Sequence, residues 1–156
     1  ASDTSTDWDV VDYFFQNNKV DDVVYLRPTT PLRDPKLLDN CIDTYLESKD
    51  NASGFRSMHE LPEPPYKMFM IQDYTNLPRQ MFPKAYQPNG YIDIVKRKTI
   101  YNSESAFGQK VFPFITPHVS EIDTLEEFKL IQYQIKNQHN NKLLSYLNEL
   151  KIYDTD

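Results

Sequence analysis

Apolar side chains recur every three or four residues in several stretches of the chain, which is the pattern of amphipathic helices. The predicted helices are Asp7 to Asn17, a helix that begins at Pro35, Thr124 to Ile135 and a last helix over Lys142 to Leu150. Asp34 as N-cap and Pro35 in the first turn are typical of a helix start. The apolar face of this second helix comprises Leu37, Leu38, Cys41, Ile42 and Tyr45.

Shorter apolar runs predict strands at Asp22 to Leu26, Ser53 to Met58, Lys67 to Ile71, Tyr91 to Val95 and Val111 to Ile115. The first shows little polar alternation, which indicates a parallel strand covered on both faces. Prolines exclude a helix or a central strand from residues 60–66, and they make Asn76 to Gly90 irregular. Because strands alternate with helices in the first half, we expect one α/β domain with a mostly parallel sheet.

The amino-acid composition excludes several classes of protein. The 156 residues fit a single domain, and 39% hydrophobic and 13% aromatic residues exclude a disordered chain. A net charge of −6 argues against non-specific binding of nucleic acid, and no apolar run is long enough to predict a membrane span. Cys41 is the single cysteine, so no internal disulfide framework exists, and a cytoplasmic, reducing location is expected. No glycine-rich phosphate loop is present, since the glycines are Gly54, Gly90 and Gly108 alone.

The first chemical motif is LRPTTPLR, which begins at Leu26 where the first predicted strand ends. Ligands of open α/β sheets bind beyond the carboxyl ends of strands. Arg27 and Arg33 could there clamp a carboxylate or phosphate, with Thr29 and Thr30 adding hydroxyl groups. The alternative is a tight turn held by prolines, with Arg33 paired to a surface carboxylate.

The second motif is EIDT, in which Glu121 and Asp123 are two residues apart on an extended segment. Their carboxylates then point the same way and suit Mg²⁺, which keeps several waters and bridges to substrate phosphates. The alternative is a capping box formed by Thr124 and Glu127, with Asp123 favouring the helix N-terminus electrostatically.

The third motif runs from Asn76 to Ile94 and carries a series of polar side chains: Arg79, Gln80, Lys84, Tyr86 and Asn89. A guanidinium for an acid and amides for hydroxyls suit a polyol that bears a carboxylate. Asn89-Gly90 predicts a turn with positive φ. The alternative is a loop packed by its own aromatic residues.

The histidines His59, His118 and His139 share no metal-ligand spacing, so we expect each to be structural or exposed. Cys41 faces the core of its helix and has no partner motif, which argues against a nucleophile.

Five stretches in a fixed order give the chain a family resemblance. They are ASDTS at Ala1, LRPTTPLR at Leu26, PRQ at Pro78, QPNGYIDI at Gln87 and EIDT at Glu121. Together they resemble the acylneuraminate cytidylyltransferases, the CMP-sialic acid synthetases and their relatives for other nonulosonic acids. The resemblance covers nearly the whole chain.

The resemblance implies a Rossmann-like nucleotidyltransferase sheet and transfer of CMP from CTP to a sialic-acid-like sugar acid, with release of pyrophosphate. It implies that Glu121 and Asp123 hold Mg²⁺ and that Asp123 helps to deprotonate the sugar hydroxyl. Ser5 and Asp7 fall near positions that line the nucleotide pocket. The candidate substrate-binding residues are Arg27, Thr29, Arg33, Arg79, Gln80, Asn89 and Asp93.

The resemblance also predicts a homodimer, formed through an inserted arm at residues 66–105. Members of the family open with a loop rich in Gly, Arg and Lys that is missing here, so we expect a truncated domain at residues 1–156 that is inactive in isolation. Arg27, Asp93 and Glu121 depart from the common family residues and leave the sugar acid open. The alternatives are a 3-deoxy-manno-octulosonate type of nucleotidyltransferase and a non-catalytic sugar-binding or dimerisation module.

Overall fold

The computed structural model of the protein describes residues 5–62, 65, 82–103, 105–137 and 145. Its elements in chain order are α1 (Asp7–Asn17), β1 (Asp22–Tyr25), α2 (Pro35–Ser48), a 3₁₀ turn (Lys49–Asn51), β2 (Gly54–Glu60), β3 (Tyr86–Lys96), α3 (Arg97–Asn102), β4 (Val111–Ile115) and α4 (Leu125–Lys136). The predicted strand Lys67 to Ile71 and, apart from Ser145, the predicted helix Lys142 to Leu150 lie outside the described residues. No described helix combines the length and the apolar character that crossing a membrane requires.

The four strands form one sheet in the order β1-β3-β2-β4. β3 pairs antiparallel with β1 and with β2, whereas β2 and β4 pair in parallel. The α/β class is therefore confirmed, but the expectation of a mostly parallel sheet is wrong. Strands β1, β2 and β4 still run in one direction, so their carboxyl ends, at Tyr25, Glu60 and Ile115, meet at the same side of the sheet. We call this side the carboxyl edge.

β1 departs most from its prediction. It pairs antiparallel with β3 and is an edge strand of the described sheet, and its residue Val24 is 40% exposed. The apolar run thus forms an outer strand instead of a parallel strand covered on both faces. The physical reason is that β3 inserts between β1 and β2 and pairs antiparallel with both, so β1 has only one neighbouring strand in the described sheet.

The hydrophobic core lies on both faces of β3. On one face Val95 packs with Val11 and Phe15 of α1. On the other face Ile92 and Ile94 pack with the α2 side that was predicted to be apolar, including Cys41 and Tyr45. Burial raises the pKa of the Cys41 thiol to about 12, which agrees with a structural, unreactive cysteine.

Side chains fix the ends of the predicted helices. Thr6 and Asp9 form a capping box at the start of α1, and the Asp34 side chain accepts a hydrogen bond from Lys36 N at the start of α2. At the other end of α1, Arg97 Nη1 donates to the Phe15 carbonyl at 2.8 Å. These contacts explain why α1 and α2 begin where the sequence predicted.

The segment predicted as an inserted arm is divided by the structure. Its part Tyr86–Lys96 is the longest strand and pairs on both sides, so this part belongs to the sheet. Residues 66–81 lie outside the described residues.

Asn89-Gly90 forms a bulge within β3 instead of the predicted turn. Gly90 has the expected positive φ of 60°. Asp93 lies opposite Arg56, but Pro88 lies opposite Met58, so β3 carries extra residues between these two pairs. The bulge turns the Asn89 side chain into the protein at the carboxyl edge.

Gly90→Ala should lower the free energy of unfolding by at least about 1–2 kcal/mol, because a left-handed backbone is unfavourable for alanine. The added Cβ would also lie 2.8 Å from Arg27 Cδ. Urea denaturation measures the change, and Asn51→Ala at an exposed position is the control. A Gly90→Ala protein as stable as the control variant would contradict the assigned bulge geometry.

Candidate functional site at the carboxyl edge

Four charged side chains of alternating sign form a row of ion pairs near the carboxyl edge, from helix α1 to strand β2. Arg27 Nη2 pairs with the Asp7 carboxylate and lies 3.3 Å from Asp93 Oδ2, and Arg56 Nε lies 3.3 Å from Asp93 Oδ1. Asp93 is fully buried, whereas the Arg27 and Arg56 side chains are 27% and 25% exposed. We call Asp7, Arg27, Asp93 and Arg56 the charge ladder.

Strand register explains the ladder. Asp93 on β3 lies opposite Tyr25 of β1 and opposite Arg56 of β2. Burial raises the pKa of the Asp93 carboxyl, although Arg56 and Arg27 both oppose that rise. Asp93 is closed to solvent and bonded to both arginines, so it holds them in position. Its role as a substrate-binding residue stays a prediction.

Arg33, the other arginine predicted to clamp an anion, donates its described hydrogen bonds to backbone carbonyls. Its Nε donates to the Tyr91 carbonyl at 2.7 Å, and its Nη2 donates to the carbonyls of Arg27 at 2.8 Å and Gly90 at 3.2 Å. The residue is buried, and burial lowers the pKa of its guanidinium group. Arg33 thus fastens the loop after β1 onto β3, which favours the alternative of a fixed turn, with carbonyl partners in place of a carboxylate.

The two threonines of the same loop face opposite ways. Thr29 is exposed, and its carbonyl accepts a hydrogen bond from Ile122 N at 2.8 Å. Thr30 is fully buried, and no described residue hydrogen bonds to its Oγ1. The Ile122–Thr29 bond joins the LRPTTPLR and EIDT motifs, which are far apart in sequence.

The two candidate metal ligands flank this bond. Glu121 is half-buried and Asp123 is exposed. Burial raises the pKa of the Glu121 carboxyl, the Asp123 carboxylate raises it further, and Arg27 and His118 oppose the rise. Glu121 therefore interacts electrostatically with both the Asp123 carboxylate and the Arg27 guanidinium group.

The charges at this edge favour a cation. Asp7 and Asp93 pair with the two guanidinium groups of the ladder, whereas Glu121 and Asp123 add two carboxylates that interact electrostatically with each other. No group of three or more potential metal ligands comes together among the described residues. Two carboxylates nevertheless fit Mg²⁺, which takes its remaining ligands from water and substrate phosphates. Glu121 and Asp123 are thus chemically suited to hold such an ion.

The capping box predicted as the alternative for EIDT is also present. Glu127 Oε2 accepts hydrogen bonds from Thr124 N at 2.8 Å and from Asp123 N at 2.9 Å, and Thr124 Oγ1 accepts from Glu127 N at 3.2 Å. These bonds use the backbone of Asp123 and leave its carboxylate exposed. The two interpretations are therefore compatible, because the cap orients the segment that carries the carboxylates.

Asn89 is buried and bonded within the protein. Its Nδ2 donates to Thr116 Oγ1 at 2.7 Å, and its Oδ1 accepts from Tyr91 N at 3.2 Å. This bonding fixes the β3 bulge to the segment after β4, and the contact of Asn89 with a sugar stays a prediction.

The remaining predicted residues fall into two groups. Ser5 precedes α1, and Asp7 opens it and accepts a hydrogen bond from the Tyr25 hydroxyl at 3.4 Å. Arg79 and Gln80 lie outside the described residues.

Sequence reasoning missed Arg56 and the contact between two histidines. Arg56 is a cationic residue in the middle of the predicted strand Ser53 to Met58, which is a signal that the sequence offered, and it lies over the Phe107 ring at 4.2 Å. The His59 and His118 rings lie 4.7 Å apart between centroids. No spacing in the sequence indicates this pair, because it depends on the parallel register of β2 and β4.

Comparison with family models and with curated proteins found no match to this chain.

Asp93→Asn should lower the free energy of unfolding by about 3 kcal/mol, because it leaves two partly buried guanidinium groups without their shared counterion. Urea denaturation measures the loss, and Asp39→Asn at an exposed position of α2 is the matched control. A loss no larger than the roughly 0–1 kcal/mol of a surface ion pair would contradict the importance of the ladder.

Glu121→Gln should become progressively more stabilising, relative to the unsubstituted protein, as pH rises. The pKa of Glu121 in the folded protein is raised above its ordinary value of 4.5. Below pH 4.5 Glu121 is protonated in both the folded and the unfolded state and does not affect stability. As pH rises through the folded-state pKa, ionisation of Glu121 destabilises the fold, and glutamine avoids this loss. Urea denaturation across this range, with EDTA present, measures the trend against Glu126→Gln as control. A stability difference that is independent of pH would contradict the prediction.

Proposed function

We propose that this chain is the sugar-acid-binding part of a cytidylyltransferase that transfers CMP from CTP to a sialic-acid-like nonulosonic acid. One observation carries the proposal: three stretches that resemble the acylneuraminate cytidylyltransferases converge at the carboxyl edge. The loop after β1 bonds to the EIDT segment through Thr29 and Ile122, and Arg27 of that loop pairs with Asp93 of the IDI stretch. Stretches that are distant in sequence and adjacent in space support a common site.

The position of this convergence supports the proposal independently of the resemblance. In open α/β sheets, ligands bind outside the carboxyl ends of the strands. β1, β2 and β4 all end at the carboxyl edge, and the partly exposed Arg27, Glu121 and Asp123 lie there. A guanidinium beside two carboxylates suits a carboxylate substrate next to a metal-bound triphosphate.

The proposed reaction joins the anomeric oxygen of the sugar acid to the α-phosphorus of CTP. The bond between the α-phosphorus and the bridging oxygen breaks, pyrophosphate leaves, and the hydroxyl proton passes to Asp123, whose exposed carboxylate can accept it. Glu121 and Asp123 would hold Mg²⁺, which would supply charge neutralisation for the phosphates. Arg27 binds the sugar acid, and its pairs with Asp7 and Asp93 keep its guanidinium in one orientation.

The proposal includes a cytosolic homodimer in which residues 66–81, with Arg79 and Gln80, contribute to sugar binding. Arg79 supplies a forked donor for the sugar carboxylate, and Gln80 supplies an amide for hydroxyl groups. Sedimentation at high protein concentration tests the dimer, and a monomer throughout would count against it.

Isothermal titration with N-acetylneuraminate, and separately with CTP and Mg²⁺, tests the function directly. We expect the chain to bind the sugar acid and to bind CTP more weakly, with a component that depends on Mg²⁺. Asp123→Asn should remove that component, whereas Glu126→Gln on the following helix turn should retain it, because Glu126 is exposed and lies outside the pair.

The outcomes separate the functions. Sugar binding with no response to CTP at any Mg²⁺ concentration would favour the non-catalytic sugar-binding module. Preference for 3-deoxy-manno-octulosonate over N-acetylneuraminate would favour the octulosonate type. Binding of no sugar acid would refute the proposal.

Arg79→Ala should weaken binding of N-acetylneuraminate by about tenfold or more, the loss expected for a charge-assisted bidentate contact. Lys84→Ala is the control, since Lys84 is an exposed cation of the same segment that pairs with Glu60 at 2.8 Å. Titration calorimetry gives the affinities, and circular dichroism checks that both variants fold. Equal affinities for the two variants would remove Arg79 from the site.

A further inference from the structure

His59 is enclosed by the fold at the carboxyl end of β2. The residue is only 8% exposed, and no described residue hydrogen bonds to its Nδ1. Leaving a polar atom unpaired in the interior destabilises the fold, so such atoms usually have a partner. The unpaired Nδ1 is therefore an observation that a bound ligand would explain.

His118 covers this imidazole from the solvent side. The two rings meet edge-on, with centroids 4.7 Å apart and planes at 62°. His118 itself is exposed. Access to His59 from this side therefore depends on the position of an exposed side chain.

The pair lies beside the proposed active-site groups. Met58 of β2 is opposite Ile115 of β4, and Thr116 N donates to the Met58 carbonyl at 2.9 Å, so the segment after β4 runs past the end of β2. That segment carries His118 and then Glu121, and both His118 and Arg27 oppose the rise in the pKa of the Glu121 carboxyl. His118 and Arg27 therefore both lie near Glu121 at the carboxyl edge.

The protonation of His59 limits what the pair can bind. Burial lowers the pKa of His59, and the neighbouring His118 lowers it further. A neutral imidazole offers one donor and one acceptor, which suits hydroxyl and amide groups. Carboxylates and phosphates are bound more favourably by guanidinium groups and metal ions, which this edge supplies elsewhere.

We infer that His59 and His118 bind the uncharged hydroxyl or acylamino substituents of the sugar acid and thereby select among sugar acids. The inference rests on the proposed function and deepens it. Arg27 takes the charged end of the substrate, and the histidine pair takes its neutral substituents. His118 moves with the ligand, and His59 Nδ1 gains the partner that the described residues do not provide.

The test is calorimetric titration of the two variants His59→Phe and His118→Phe. Each is titrated with N-acetylneuraminate and with the analogue in which a hydroxyl replaces the acetamido group. A separate titration uses CTP and Mg²⁺. Phenylalanine keeps the flat ring and removes both nitrogens. We expect about tenfold weaker binding of at least one sugar acid and an unchanged response to CTP. His59→Asn, whose amide can stand in for Nδ1, should recover part of the affinity. His139→Phe, at the third histidine of the chain, is the control.

The two proposals fail in different ways. If the unsubstituted protein binds sugar acids and both phenylalanine variants bind them equally well, the histidine inference is overturned and the proposed function survives. His118 is exposed, so its variant stays informative even if His59→Phe does not fold. If the unsubstituted protein binds no sugar acid, the proposed function fails and this inference fails with it. The analogue shows whether the acetamido group or a hydroxyl is the substituent recognised.

Discussion

The buried carboxylate of Asp93 is the constraint on which the carboxyl edge depends. It lies on the central strand and bonds to arginines that reach it from both sides. Removing a charge from water is costly, so such a group persists only where its partners are held in place. That requirement links the register of β1, β3 and β2 to the direction of the Arg27 side chain, and through Asp7 it links α1 to the sheet.

The residues around this carboxylate divide into those that build the edge and those that face outward. Arg33 donates hydrogen bonds to backbone carbonyls and holds the loop after β1 in shape. Asn89 bonds to a hydroxyl and to a backbone N–H and holds the β3 bulge in shape. Arg27, Glu121 and Asp123 keep access to solvent. Chemistry at this edge therefore depends on few exposed groups and a larger buried support.

Local patterns in the sequence predicted local structure well. The bounds of α1 and β4 and the caps of α2 and α4 follow from apolar spacing and from side chains that bond within a few residues. Strand direction did not follow, because an apolar run such as Asp22–Tyr25 has the same pattern whether its neighbour is parallel or antiparallel. The partners of Arg33 and the His59–His118 contact could not be predicted either, since both depend on strands that meet only after folding.

The pairing at the open end of β2 and β3 has a consequence for how the protein can change over evolutionary time. Glu60 lies opposite Tyr86, and Leu61 N donates to the Ala85 carbonyl at 2.9 Å, so the chain leaves the sheet and returns to it at one place. A change in the number of residues between Leu61 and Ala85, a stretch that includes Arg79 and Gln80, would therefore leave the register of the strands that carry the charge ladder unchanged as long as these two ends still meet.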